Sequence, residues 1–410
     1  DNKTSKSKTG KTSESKAGKT SESKAGKTSE SKAEKKIKDT QIAAGSSHTC
    51  ALFGNGNIKC WGSGRSGQLG QGNKDNIGNG HGTSVAKTPA IDLGDGRTAK
   101  QIAAGENHTC ALLDDSSVKC WGYGDAGQLG HGDDATYLTP TLVKRLQPVY
   151  ISHVSCGLAH TVAVSEVDKQ VYSWGWDEYG QLGQGIWDIF GANKNRTPRP
   201  IRELQGKNII ATACGSSHTV ALSAKGEAYA FGWGRDGQLG LGSATKEKKT
   251  PVLVKGLADV VHVSASGSHS IAVDSTGCAW AWGVNLAGQL GLGHTSAVST
   301  PTRVAALEGR RVRQVACAGG VKFGHTLALM LPDNERPRHP LPHGWPAAVG
   351  GGEGSETLGR AEKRSGQGGR GRSPVREESD EALHVQLGVA DQNSLSYYES
   401  QASGNSSSSI

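Results

Sequence analysis

Aromatic residues make up only 5% of the 410 residues, with four Phe and one Met. A chain of this length can bury one large core or two ordinary ones, but not a core dominated by large rings. No stretch of about 18 apolar residues occurs, which excludes a helical membrane span, and no membrane partner is expected. No secretory signal is present either. A cytoplasmic or nuclear site is the expectation, and because the chain opens on Asp1 rather than Met secretion stays open. A singular cluster of nucleophile, base and orienting group is also missing. No catalytic residue, cofactor or metal is therefore assigned. What the chain has in excess is glycine: 59 Gly imply many tight turns and point to an all-β fold.

The net charge of +8 is unevenly placed. Residues 1 to 38 carry twelve Lys against five acids, whereas residues 333 to 410 carry eight Lys/Arg against eleven acids. The first segment is an array of KTSESKAG octapeptides at 11 to 18 and 19 to 26, closed by KTSESKAE at 27 to 34. Before Ile37 it has no large apolar residue to offset its ordering entropy, so residues 1 to 38 read as a disordered basic tail. It serves either as a spacer or as a weak contact to nucleic acid or another polyanion. From Pro332 the composition shifts to Pro, Gly, Arg and Ser, so residues 332 to 410 read as a second, low-complexity tail.

Between the tails runs a repeat of roughly fifty to sixty residues. Gly-x-x-His-Thr recurs at His48, His108, His160 and His218, the fifth unit has Gly-Ser-His-Ser at His269, and a looser copy ends at His325. An aromatic-Gly pair follows at Trp61, Trp121, Trp174, Phe231 and Trp282. Six residues on, Gly-Gln-Leu-Gly begins at Gly67, Gly127, Gly180, Gly237 and Gly288, and a Thr-Pro step comes after it. Segments such as QIAAG, HTCALF and NIKCWG are strand-like and are separated by Gly, Asn, Asp and Ser turns. The Thr-Pro segments, TPAIDL in the first unit, read as a fourth, edge strand. Four strands per unit, repeated, predict a β-propeller over residues 39 to 331.

In that order, Gly-x-x-His-Thr, the aromatic-Gly pair and Gly-Gln-Leu-Gly-x-Gly resemble the repeat of the regulator of chromosome condensation family of β-propellers. The resemblance covers about residues 40 to 331. It implies seven blades, whereas five complete units and a partial sixth, RVRQVACAGGVKFGHTLALM, are present. An incomplete ring or a truncated seven-bladed one is expected. Ultraviolet-sensing relatives carry Trp in a Gly-Trp-Arg-His-Thr version of the motif, and no Trp stands at that position here.

Five equivalent histidines spread one per blade do not converge on a metal, so each is expected to pack inside its own blade and hydrogen-bond nearby backbone. Gly-Gln-Leu-Gly is expected to be a sharp turn whose Leu anchors it and whose Gln amide satisfies the turn. Trp61, Trp121, Trp174 and Trp282 are expected in blade cores. Cys50 and Cys60 are symmetric about Asn55, and Cys110 and Cys120 about Asp115, so each pair faces across a hairpin. Other units replace both members: Val162 with Ser173, Val220 with Ala230, Ile271 with Ala281. The pairs are either disulfides or reduced, half-buried thiols. Cys156, Cys214 and Cys317 match Ala43 or Ala44 of the first strand.

Function is expected in the loops that break the repeat. Unit three carries IWDIFGANKNR, and its Ile186, Trp187, Asp188, Ile189 and Phe190 either anchor a protein partner or tuck against the next blade. Three functions compete: a non-catalytic protein-interaction scaffold; by resemblance, guanine-nucleotide exchange on a Ran-like small GTPase at chromatin; or the substrate-binding propeller of a larger ubiquitin ligase. The first is preferred, because no exchange wedge and no ligase domain is found.

Overall fold

The computed structural model describes residues 41–80, 84–185, 194–242, 245–318 and 324–330. These form an all-β propeller of successive antiparallel sheets, each an up-and-down meander. The second blade is typical, with strands Ala99–Ala104, His108–Leu113, Val118–Gly122 and Tyr137–Leu142. The third runs from Ile151–Cys156 to Lys194–Pro200, the fourth from Ile209–Cys214 to Glu247–Leu253 and the fifth from Val260–Ser266 to Val298–Arg303. No α-helix occurs among the described residues, only three single-turn 3-10 helices such as Lys144–Leu146. No helix is long and apolar enough to cross a membrane.

Two sheets depart from the four-stranded plan. In the first blade, Gln41–Ala44, His48–Leu52 and Ile58–Gly62 pair normally. Its outer position is filled irregularly by the long segment after Gly62. Gly62 bridges Ile77, and Ile91 N donates to Ile58 O at 2.8 Å, so the expected TPAIDL strand is one hydrogen bond rather than a ladder. The sixth sheet has two strands, Val312–Ala318 and His325–Met330.

These end sheets leave faces open. Ile42 is 72% exposed, whereas Ile102, at the same register in the second blade, is 6% exposed because the first blade covers it. At the far end Leu327 and Leu329 are exposed. Trp61 shows the same effect: it is half-buried, while Trp121, Trp174 and Trp282 are fully buried. Its packing into a blade core is thus only partial, since no other blade among the described residues covers it.

The buried apolar groups lie between blades. Leu69 of the first Gly-Gln-Leu-Gly packs with Trp121 of the second blade, and Leu129 of the second with Trp174 of the third. One blade buries about half of each interface and its neighbour the rest, which makes a single unit unstable alone. Both sequence tails lie outside the described residues.

Candidate functional site

The repeated motifs assemble into one device, an inter-blade clamp. His108 Nε2 lies 3.0 Å from Thr161 Oγ1 of the next blade. Thr161 donates its proton to Gln128 O at 2.8 Å, and Trp174 Nε1 donates to the same carbonyl at 2.8 Å. The Gly-Gln-Leu-Gly turn of one blade is thereby tied to the His-Thr strand and the aromatic of the next. The histidine link recurs as His48 to Thr109, His160 to Thr219, His218 to Ser270 and His269 to Thr326, at 2.8 to 3.3 Å. This corrects the expectation that each histidine bonds backbone of its own blade. The partner is a hydroxyl across the junction, because the ring points out of the sheet toward the following blade.

Local chemistry enforces the clamp. The Gln128 amide oxygen accepts from Ala126 N at 3.0 Å, closing the turn as expected. Gly130 has φ +77°, and a Cβ there would stand 2.8 Å from Trp174 Nε1, so only glycine permits that close approach. Burial holds the clamp histidines neutral: His108, His160 and His218 fall to about 3, and His48 and His269 to about 4. A further buried chain links the second, third and fourth blades, with Gln101 Nε2 3.1 Å from His153 Nδ1 and His153 Nε2 2.8 Å from Thr212 O. These iterated contacts are scaffold.

The residues that vary cluster on a ring face. In each blade the third strand ends at the turn leading into Gly-Gln-Leu-Gly, so all these turns open on the same side. In the third and fourth blades they carry Trp176, Tyr179, Trp233 and Arg235. The Trp176 and Tyr179 rings are 5.3 Å apart, Tyr179 and Trp233 4.6 Å, and the Arg235 guanidinium sits 4.9 Å over the Trp233 ring. All three rings are half-buried and Arg235 is exposed. Trp233 Nε1 is fixed by Asp236 Oδ2 at 3.1 Å. Beneath the patch, burial pushes the Asp177 carboxyl up to about 7 while its Oδ1 accepts from Leu182 N at 3.0 Å. Sequence reading passed over this patch. Its signal was the second aromatic of the Trp-Gly-Trp and Phe-Gly-Trp strings, which a repeat search treats as variation.

The anchor residues named from sequence, Ile186, Trp187, Asp188, Ile189 and Phe190, lie outside the described residues. Cys50 stands opposite Cys60 and Cys110 opposite Cys120, with Cα atoms 4.0 and 4.1 Å apart and the sulfurs bonded. Val162 with Ser173, Val220 with Ala230 and Ile271 with Ala281 hold the same paired register. Cys156, Cys214 and Cys317 occupy the register of Ala44, opposite Thr161, Thr219 and Thr326.

Blades joined by an iterated histidine clamp define a repeat propeller. The RCC1-like domain model matches residues 5–327, and the chain belongs to that family. It is 38% identical to the Ultraviolet-B receptor UVR8 of Arabidopsis thaliana over 231 residues, 56% of this chain and 50% of the receptor. It is 33% identical to the human E3 ubiquitin-protein ligase HERC2 over 305 residues, 73% of this chain but 6% of the ligase. Among solved structures, human WBSCR16 superposes with a TM-score of 0.61 at 25% identity, covering 72% of this chain and 73% of that one. Yeast RCC1 (Prp20), solved with Kap60, gives 0.60 at 24% identity over 72% of this chain and 66% of that one, which bears on the fold alone. The chain thus spans at most half the length of these two curated relatives.

Proposed function

We propose that this chain is a non-catalytic protein-binding propeller that engages its partner with the ring face bearing Trp176, Tyr179, Trp233 and Arg235. The observation that carries the reading is the contiguous aromatic and guanidinium patch on a face whose supporting residues are otherwise iterated. Half-buried aromatics and Arg are the side chains that anchor protein interfaces, since they offer large area at little loss of rotamer freedom. The three rings are already fixed by one another and by Asp236, so binding orders little. A small GTPase is the partner class that the family resemblance suggests; Prp20p, described with its binding properties to Gsp1p and histones, shares the fold.

The test is site-directed photocrosslinking on the full chain. A photoreactive residue at exposed Glu178, beside the patch, is expected to capture a protein partner, and one at Lys225, in the hairpin turn on the opposite face, is not. Trp233→Ala should weaken that binding at least tenfold with the fold retained. Equal capture from both faces would overturn the assignment. Acceleration of labelled-nucleotide release from a Ran-like GTPase would replace it with exchange activity.

A further inference from the structure

The clamp junctions differ in what stands beside the histidine. At His48 the first blade supplies Cys50 and Cys60, but the second blade presents Ala104 opposite Thr109. At His160 and His269 the next blade supplies Cys214 or Cys317, but the hairpin pair is Val162 with Ser173 or Ile271 with Ala281. At the junction of the second and third blades both sets coincide. A ring nitrogen of His108, Sγ of Cys110 and Sγ of Cys156 lie within 4.8 Å of one another, the one such group among the described residues. Cys120 Sγ stands outside this group but is one sulfur–sulfur bond from Cys110 Sγ, so reduction frees it as a fourth donor.

We propose that, once the Cys110–Cys120 bond is reduced, His108, Cys110, Cys120 and Cys156 bind a single zinc ion between the second and third blades. Three thiolates and one imidazole are a common closed tetrahedral set for zinc. Reduction by an added phosphine or dithiol delivers two electrons, and with two protons the sulfur–sulfur bond becomes two thiols. Zinc then displaces the three thiol protons into solvent. The imidazole is already prepared. Thr161 gives its only proton to Gln128 O, so it accepts from Nε2–H, and Nδ1 keeps an unengaged lone pair with no hydrogen-bond partner.

Repetition had argued against a metal, because five histidines lie around a ring. This site avoids that objection: it uses one histidine and draws its sulfurs from two blades. Disulfide and zinc are alternative uses of the same sulfurs, so occupancy follows the redox poise.

The test is an anaerobic titration of the reduced, tag-free full chain with Co(II), followed by Zn(II). One equivalent should give thiolate-to-cobalt charge-transfer and tetrahedral d–d bands that zinc abolishes. Cys156→Ala should lose them and still fold, since Ala44 and Ala104 stand at that register in the first two blades. Ala104→Cys should add a second equivalent by completing the same set beside His48, Cys50 and Cys60. Bands that survive in Cys156→Ala, no bands in the reduced wild-type chain, or no gain in Ala104→Cys would each overturn the proposal.

Discussion

Thr161 sits between two blades, accepting from His108 Nε2 at 3.0 Å and donating to Gln128 O at 2.8 Å. Thr49 holds the same register in the first blade, and no histidine among the described residues meets it. The pair separates the clamp from the strand. Thr161→Val keeps the shape, leaves the buried His108 N–H without an acceptor and leaves Gln128 O with Trp174 Nε1 as its remaining donor, so it should lower unfolding free energy by about 2 kcal/mol. Thr49→Val should stay within about 0.5 kcal/mol of wild type. Denaturant midpoints for the two variants check this; equal losses would remove the clamp's energetic role.

Seven buried histidines, His48, His108, His153, His160, His218, His262 and His269, are lowered to about 3 or 4, chiefly by desolvation. Depressed folded values mean that the unfolded chain binds more protons below pH 6.5. Stability is therefore fully present above 6.5 and is lost as pH falls toward 4. Thermal midpoints across that window should drop steeply, with a proton uptake of several per molecule.

Asp177 runs the other way. Its folded value is raised to about 7 from 3.8, so its contribution is present below 3.8 and disappears as pH rises through 7. Asn285 fills the same position in the fifth blade and accepts from Leu290 N at 3.0 Å, as Asp177 does from Leu182 N. Asp177→Asn should therefore stabilise the protein at pH 8 by on the order of 2 kcal/mol and have little effect below pH 4. A pH-independent change would show that the carboxyl is ordinary.

Alkylation and mass spectrometry of the unfolded, unreduced chain should label Cys156, Cys214, Cys278 and Cys317 and spare the two hairpin pairs. Each short loop closed in this way adds about 2 to 3 kcal/mol by the chain-entropy estimate. Labelling of Cys50 and Cys60 would instead make them buried thiols.

The repeat was legible because each motif solves a local problem. Gly-Gln-Leu-Gly closes its own turn through Gln128 Oε1 on Ala126 N, and Cys110 faces Cys120 by hairpin symmetry about Asp115. Such relations depend on residues a few positions apart, so spacing alone exposes them. The irregular outer edge of the first blade was not legible, because the long segment after Gly62 reaches the sheet at Ile77 and Ile91 without forming a ladder.

Sequence by itself therefore determined the strand order, the blade count and which residues pair across each hairpin, since these follow from period-two alternation and turn chemistry. Tertiary structure alone decided what lies between blades. His48 meets Thr109 across 61 positions, Tyr179 stacks near Trp233, and Cys156 arrives beside His108 and Cys110. Each contact needs the rotation of one sheet relative to the next, and inter-blade packing sets that angle.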